Sequence, residues 1–218
     1  MEKNNRILIL TGGHIDFDFL AKWMQIEQYG MIIAADNGMT AADQLSIKLD
    51  YIVGDFDSVP QEVFQKYQEL SVPIKTFPTE KDKTDTEIAI ELALMHTPTH
   101  IDIIGATGSR LDHTFANIHL LMLPMQVGVF ASILDANNKI YLKQESFTIE
   151  KKVQYGSHVS FLPFTEKVIG LTLTGCKYPL NNHTLLSGSS LGVSNVIKDD
   201  LAGVEFKEGI LLVMETKD

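Results

Sequence analysis

Two textures of apolar and polar positions follow one another along the chain. Up to about residue 120, short apolar runs at 6–10, 31–35, 51–53, 72–77 and 100–104 alternate with longer stretches at 16–29, 39–47, 60–70, 84–96 and 110–123, where apolar residues recur with the helical period. The short runs predict strands and the longer stretches helices. The strands are almost uniformly apolar (ILIL, MIIAA, IDII), as expected of a parallel sheet covered by helices on both faces. Thr84-Asp85-Thr86-Glu87 has the form of a capping box with Thr84 as N-cap, and Ser109 is placed to cap the helix after the last strand.

From about residue 126 the helical period disappears. Short strands are predicted at 127–134, 139–142, 146–150, 158–164, 168–174, 192–197, 204–206 and 210–215, with turns at Asn137-Asn138, Tyr155-Gly156, Asn181-Asn182 and Lys207-Glu208-Gly209. Strands this short and close predict a sandwich or small barrel. The expected fold is therefore an α/β N-terminal domain with a mostly parallel, doubly wound sheet (1–128), followed by an all-β sandwich or barrel-like domain (129–218). No Pro-, Gly- or Ser-rich linker marks the change.

Composition narrows the function classes. The 218 residues carry 18 basic and 28 acidic side chains, a formal net charge of −10. That balance argues against a general nucleic-acid binder, which needs basic stripes to displace counterions. The single cysteine, Cys176, excludes an intrachain disulfide and a multi-cysteine zinc site. The apolar core of the N-terminal segment is too short for a signal peptide. The apolar stretch at 120–134, broken by Pro124 and Gln126, falls short of the ~18–20 residues of a membrane span. A cytoplasmic protein without membrane partners is expected.

In a doubly wound sheet ligands bind beyond the carboxyl ends of the strands. All five predicted ends carry small or ionisable residues: Thr11-Gly12-Gly13-His14, Asp36-Asn37-Gly38, Gly54-Asp55-Phe56-Asp57-Ser58, Thr79 to Asp85, and Gly105 to His113. One such Asp alone reads as a turn or cap residue; five in succession read as a rim. If the chain stays extended past Val53, Asp55 and Asp57 point to one side and Phe56 to the other. Paired carboxylates of that kind suit Mg²⁺, usually held by about one or two carboxylates plus water and substrate phosphates. Asp82 and Asp85 flank the next helix start, where an anion or metal-phosphate docks. The loop Gly105-Ala106-Thr107-Gly108-Ser109 leads into another helix, so its backbone N–H groups can hold phosphate oxygens, with Arg110 as a bidentate donor. Neither GxxxxGK[ST] nor GxGxxG is present. Asp112 stands three residues after Ser109 and serves equally as a capping or an orienting group. The rim points to phosphoryl or nucleotidyl chemistry.

Taken in order, ADNG at 35–38, VGDFDS at 53–58, EKDKTDTE at 80–87, GATGSRLDHT at 105–114 and GCKYPL…GVSN at 175–195 resemble the thiamine pyrophosphokinases, over essentially the whole chain. The resemblance implies an α/β domain and a C-terminal β-sandwich, with ATP and Mg²⁺ used to transfer a pyrophosphoryl group to thiamine. It also implies a homodimer with thiamine held between subunits. By motif, the metal-binding carboxylates fall on Asp55, Asp57 and Asp85. Asp82, Arg110 and Asp112 match residues lining the nucleotide and phosphate site, Asp36 and Asn37 the ADNG turn, and Tyr178 with Ser194 and Asn195 the thiamine pocket. Many eukaryotic members carry Trp at the position of Tyr178 and Gln at that of Lys81, which puts a lysine beside the nucleotide site here. Asp85 or Asp112 would orient or deprotonate the thiamine hydroxyl. A pyrophosphokinase of another heterocyclic alcohol, a nucleotide or thiamine sensor, and a Mg²⁺-dependent phosphohydrolase are the rival readings.

Overall fold

The computed structural model describes residues 5–57, 59–76 and 83–218, which form two compact units meeting at Ala136 and Asn137. In the first unit β1 (Arg6–Leu10), α1 (Phe17–Ile26), β2 (Met31–Ala35), α2 (Gly38–Gln44), β3 (Tyr51–Gly54), α3 (Gln61–Glu69), β4 (Ile74–Thr76), α4 (Asp85–Met95) and β5 (His100–Ile104) alternate. Then come α5 (Leu111–Leu120), the short α6 (Met122–Gln126) and β6 (Phe130–Leu134). The strands lie in the order β4-β3-β2-β1-β5-β6, every pair parallel. The end of the strand predicted at 72–77, Phe77, lies outside the described residues.

The uniformly apolar strands supply the core: Leu8, Ile9, Leu10, Ile33, Ile52, Val53, Ile101 and Ile103 are fully buried. Helix α4 is apolar on several sides, with six of its residues buried, and Thr84 caps it through the Glu87 N–H (3.2 Å). Ser109 does not cap α5. That helix starts at Leu111 with Arg110 as its extended N-cap residue and no side-chain cap bond, so Asp112 sits in the first turn without a capping bond to a serine. The first unit reaches past the boundary expected at 128/129, because β6 extends the parallel ladder beside β5, with Ile101 opposite Ala131.

The second unit contains β7 (Asn138–Lys143), β8 (Phe147–Glu150), β9 (His158–Pro163), β10 (Lys167–Thr174), β11 (Leu180–Leu186), β12 (Leu201–Glu205) and β13 (Leu211–Thr216). All its pairings are antiparallel, in the orders β7-β13-β9 and β11-β10-β12-β8. Two predictions fail here. The segment 192–197 is a series of turns with isolated bridges at Asn195 and Ile197, and Gly192 packs so closely on Phe161 that a Cβ would lie 2.0 Å from its carbonyl oxygen. Conversely LNNHTLL, read as a turn at Asn181-Asn182, is β11. It is an edge strand with only Leu185 buried, so it lacks the alternation that marks a half-buried strand.

Candidate functional site

Strands β2, β3 and β4 lie to one side of β1 and β5 and β6 to the other, so the direction of winding reverses between β1 and β5. Beyond their carboxyl ends the ladder continues into the loops: Thr11 N–H donates to Ile104 O (2.9 Å), Gly13 N–H to Gly105 O (2.8 Å) and His14 N–H to Thr107 O (2.8 Å). Only glycine fits at Gly13, where a Cβ would stand 2.2 Å from Gly105 O. Gly105 has φ +86° and faces Thr11 O at 2.3 Å in the same way. Over these loops opens a cleft of about 650 Å³, at the topological switch point where ligands bind in such sheets.

The cleft collects the ends of four strands, β1 through Thr11 to His14 among them, and the start of α4. Asp36 and Asn37 enter from β2, Asp55 from β3, Lys83 to Thr86 from the start of α4, and Gly105 to Arg110 from β5. Among the described residues no acceptor meets the backbone N–H of Ala106, Thr107, Gly108 or Ser109. These donors are oriented by contacts behind them. Asn117, buried on α5, donates its side-chain amide to Ala106 O (2.8 Å), and the buried hydroxyls of Thr11 and Thr86 join β1 to α4 (2.8 Å). A loop of open amides beside a helix start is an anion cradle.

The carboxylates are arranged differently from the extended pair expected after β3. Phe56 has φ +65°, a costly conformation for a bulky residue, and it is held by burial and by stacking on Phe64 at 4.8 Å. The chain therefore turns instead of running straight, and the Asp57 N–H donates to Asp55 Oδ1 (3.3 Å). Asp55 lines the cleft with Asp85, whereas Asp57 is exposed and outside the lining. Among the described residues no three His, Cys, Asp or Glu side chains converge as a metal cluster. Two cleft carboxylates are nevertheless the donor set that Mg²⁺ needs when phosphate and water complete its shell. Lys81, Asp82 and Ser58 lie outside the described residues.

Arg110 and Asp112 are both exposed and paired side to side, Nη2 to Oδ2 at 2.7 Å and Nε to Oδ1 at 3.3 Å. The Arg110 hydrogen bond, helped by the His113 backbone N–H, holds the Asp112 carboxyl below the usual carboxylate range. Arg110 lines the cleft and Asp112 does not. Thr11, His14 and His113 stand on rim segments that the sequence reading marked, whereas Asn117, which also lines the cleft, escaped it. Asn117 lies two helical turns after Arg110 and shares its face, a periodicity that points to it.

In the second unit Tyr178 is 56% exposed and Asn195 buried. The Asn195 side chain is committed to backbone: its Oδ1 accepts from the Tyr178 N–H (3.0 Å) and the Val196 N–H (2.9 Å), and its Nδ2 donates to Tyr178 O (2.8 Å). Asn195 thus braces Tyr178. Ser194 is exposed, with its N–H on Ser160 Oγ (3.0 Å).

Comparison with known proteins adds identity to this geometry. Residues 23–152 match the model of the thiamin pyrophosphokinase catalytic domain, and residues 146–211 that of the thiamin pyrophosphokinase vitamin B1 binding domain. The thiamine pyrophosphokinase of Bacillus subtilis is 32% identical over 88% of this chain and 90% of its own length. Its crystal structure superposes with a TM-score of 0.88 at 30% identity, covering 98% of this chain and 99% of that one. The Geobacillus thermodenitrificans enzyme gives 0.85 at 32% identity, covering 98% of each chain. Thiamin pyrophosphokinase from Candida albicans shares the fold at 22% identity, with a TM-score of 0.81 over 98% of this chain and 89% of that one.

Proposed function

The chain belongs to the thiamin pyrophosphokinase family, and from that premise we propose that it transfers the terminal pyrophosphoryl group of ATP to the hydroxyethyl oxygen of thiamine. The observation that carries this reading is the cleft at the switch point, where open backbone amides face carboxylates. In the reaction the alcohol oxygen forms a bond to the β-phosphorus. The bond from that phosphorus to the oxygen bridging to the α-phosphate breaks, and AMP leaves with the electron pair. Positioning and charge neutralisation supply most of the catalysis in such a displacement.

The residues divide this work. The N–H groups of Gly105, Thr107, Gly108 and Ser109, with Arg110, hold the phosphates, and Asp36 and Asn37 bound the nucleotide from β2. By motif, Lys81 and Asp82 also serve the nucleotide. Asp55 and Asp85, both in the cleft lining, would hold Mg²⁺, with Asp57, outside the lining, as a secondary ligand; the ion when bound would offset the charge of the triphosphate. Asp85 orients the thiamine hydroxyl and takes its proton. It suits this role better than Asp112, whose pairing with Arg110 weakens it as a base; Asp112 instead sets the direction of Arg110.

Thiamine is held by Tyr178, Ser194 and Asn195, the ring of Tyr178 stacking on it from a backbone fixed by Asn195. The second unit exposes Leu186, Leu191, Val193 and Leu201 as well as Tyr178, which supports a homodimer that encloses thiamine between subunits. No helix among the described residues is long and apolar enough to cross a membrane, and the lone, buried Cys176 suits the reducing cytoplasm, where we assign the protein.

Phosphorus NMR of the purified protein with ATP, Mg²⁺ and thiamine tests the reading, with thiamine omitted in the control. AMP and thiamine diphosphate appearing only when thiamine is present is the expected result. AMP formed only with another alcohol would overturn the acceptor, and thiamine binding without turnover would make the protein a sensor.

A further inference from the structure

The wall of amides that faces the cleft is held from behind by three contacts, and one of them involves a residue far from any motif. Thr107 Oγ1 donates to Asp135 Oδ2 at 2.8 Å. Asp135 follows directly on β6, the strand beside β5, and is not part of the cleft wall, whereas Thr107 is. The carbonyl of Thr107 is taken by the His14 N–H, and that of Ala106 by Asn117. The three contacts engage the hydroxyl and both carbonyls of the Ala106-Thr107 pair. Only the amide N–H groups of this stretch are left for a ligand.

We infer that Asp135 is a positioning residue for ATP, acting through the Thr107 hydroxyl to keep the loop amides turned toward the phosphates. The inference rests on the assignment of this loop to the ATP phosphates. The hydrogen bond to Thr107 gives this carboxylate its role: a charge-assisted bond fixes a loop more firmly than a neutral one, and a preorganised donor costs no reorganisation when the anion arrives. Thr107 accordingly serves the nucleotide with its backbone, its hydroxyl being used inside the protein.

The test compares Asp135→Ala, Asp135→Asn, Thr107→Val and the double variant Thr107→Val/Asp135→Ala in the full-length protein. Readouts are calorimetric affinity for a non-hydrolysable ATP analogue with Mg²⁺, and KM for ATP and for thiamine. Asp135→Ala and Thr107→Val should each weaken analogue binding and raise the KM for ATP about tenfold, with the KM for thiamine little changed. The double variant should be no worse than either single one, because both break the same contact. Asp135→Asn, which keeps an acceptor, should recover most of the loss.

Additive losses, unchanged ATP affinity in folded variants, or equal behaviour of Asn and Ala at 135 would overturn the inference. The last result would mean that only the charge matters. Should Asp135→Ala fail to fold, the nearly isosteric Thr107→Val decides by the same criteria. Unmutated protein that binds the analogue but makes no AMP with thiamine sinks the acceptor assignment alone, since analogue affinity still judges the contact. Unmutated protein that does not bind the analogue sinks both.

Discussion

Asp85 is the residue on which local and tertiary structure agree most closely. Its place in the first turn of α4 follows from the Thr84 cap, where a carboxylate is favoured by the helix dipole. The crossover then brings it to the cleft beside Asp55. On the proposed roles, replacing Asp85 by its amide removes charge at the reacting centre. Asp85→Asn and Asp55→Asn should therefore each lower kcat by at least about 100-fold, the scale of losing one preorganised electrostatic group, and Asp55→Asn should also raise the Mg²⁺ concentration needed for half-maximal rate. Asp57, exposed and outside the cleft lining, should be less sensitive. Steady-state kinetics with Mg²⁺ titration measures all three, and an unaffected Asp85→Asn would remove that residue from the mechanism.

Among the elements, β1, β5, β6 and α1 are tied together at a buried polar cluster remote from any rim motif. Asp102, 1% exposed in the middle of β5, accepts from Arg6 Nη2 (2.9 Å), Tyr29 Oη (2.8 Å) and Ser132 Oγ (2.6 Å), and pairs with His100 Nε2 (2.8 Å). Trp23 at the end of α1 joins through Tyr29 (2.7 Å), and Glu27 through Arg6. Burial alone would raise the Asp102 carboxyl, but its His100, Ser132 and Tyr29 partners outweigh that and hold it at about 2, against an ordinary 3.8. Because the folded value is the lower one, the stabilisation is present above about pH 4 and is lost as pH falls toward 2, on the order of 2 kcal/mol. Asp102→Asn should flatten this acid limb in urea unfolding at a series of pH values. It should also cost about 3 kcal/mol at neutral pH, as breaking a buried pair does. An acid limb identical to that of the unmutated protein would contradict the assignment.

For the whole molecule, the reading as a dimer carries its own prediction. Tyr178 and the apolar side chains exposed on the second unit would be covered on association, so light scattering should give twice the 24.3 kDa chain mass. Tyr178→Ala should raise the KM for thiamine about tenfold, the size of a lost aromatic stacking contact, and leave the KM for ATP unchanged. A monomer at the working enzyme concentration would refute the shared pocket. An unchanged thiamine KM would refute the stacking role.

What the chain determined by itself is what depends on neighbours within about one helical turn or one strand. The apolar runs are strands, the Thr84 cap starts α4, and the strand ends carry glycines and carboxylates in an ordered set specific enough to indicate the family. Only the tertiary structure decided the rest. Asp102 in IDII gives no sign of its partners, because Arg6 is 96 residues away. Thr107 and Asp135 meet across 28 residues only because β6 lies beside β5. Edge strand β11, with only Leu185 buried, has no apolar alternation to reveal it, and the turn at Phe56 is held by a ring from α3. Periodicity and caps are local, whereas hydrogen-bond satisfaction and burial depend on sheet order, and sheet order brings distant segments together.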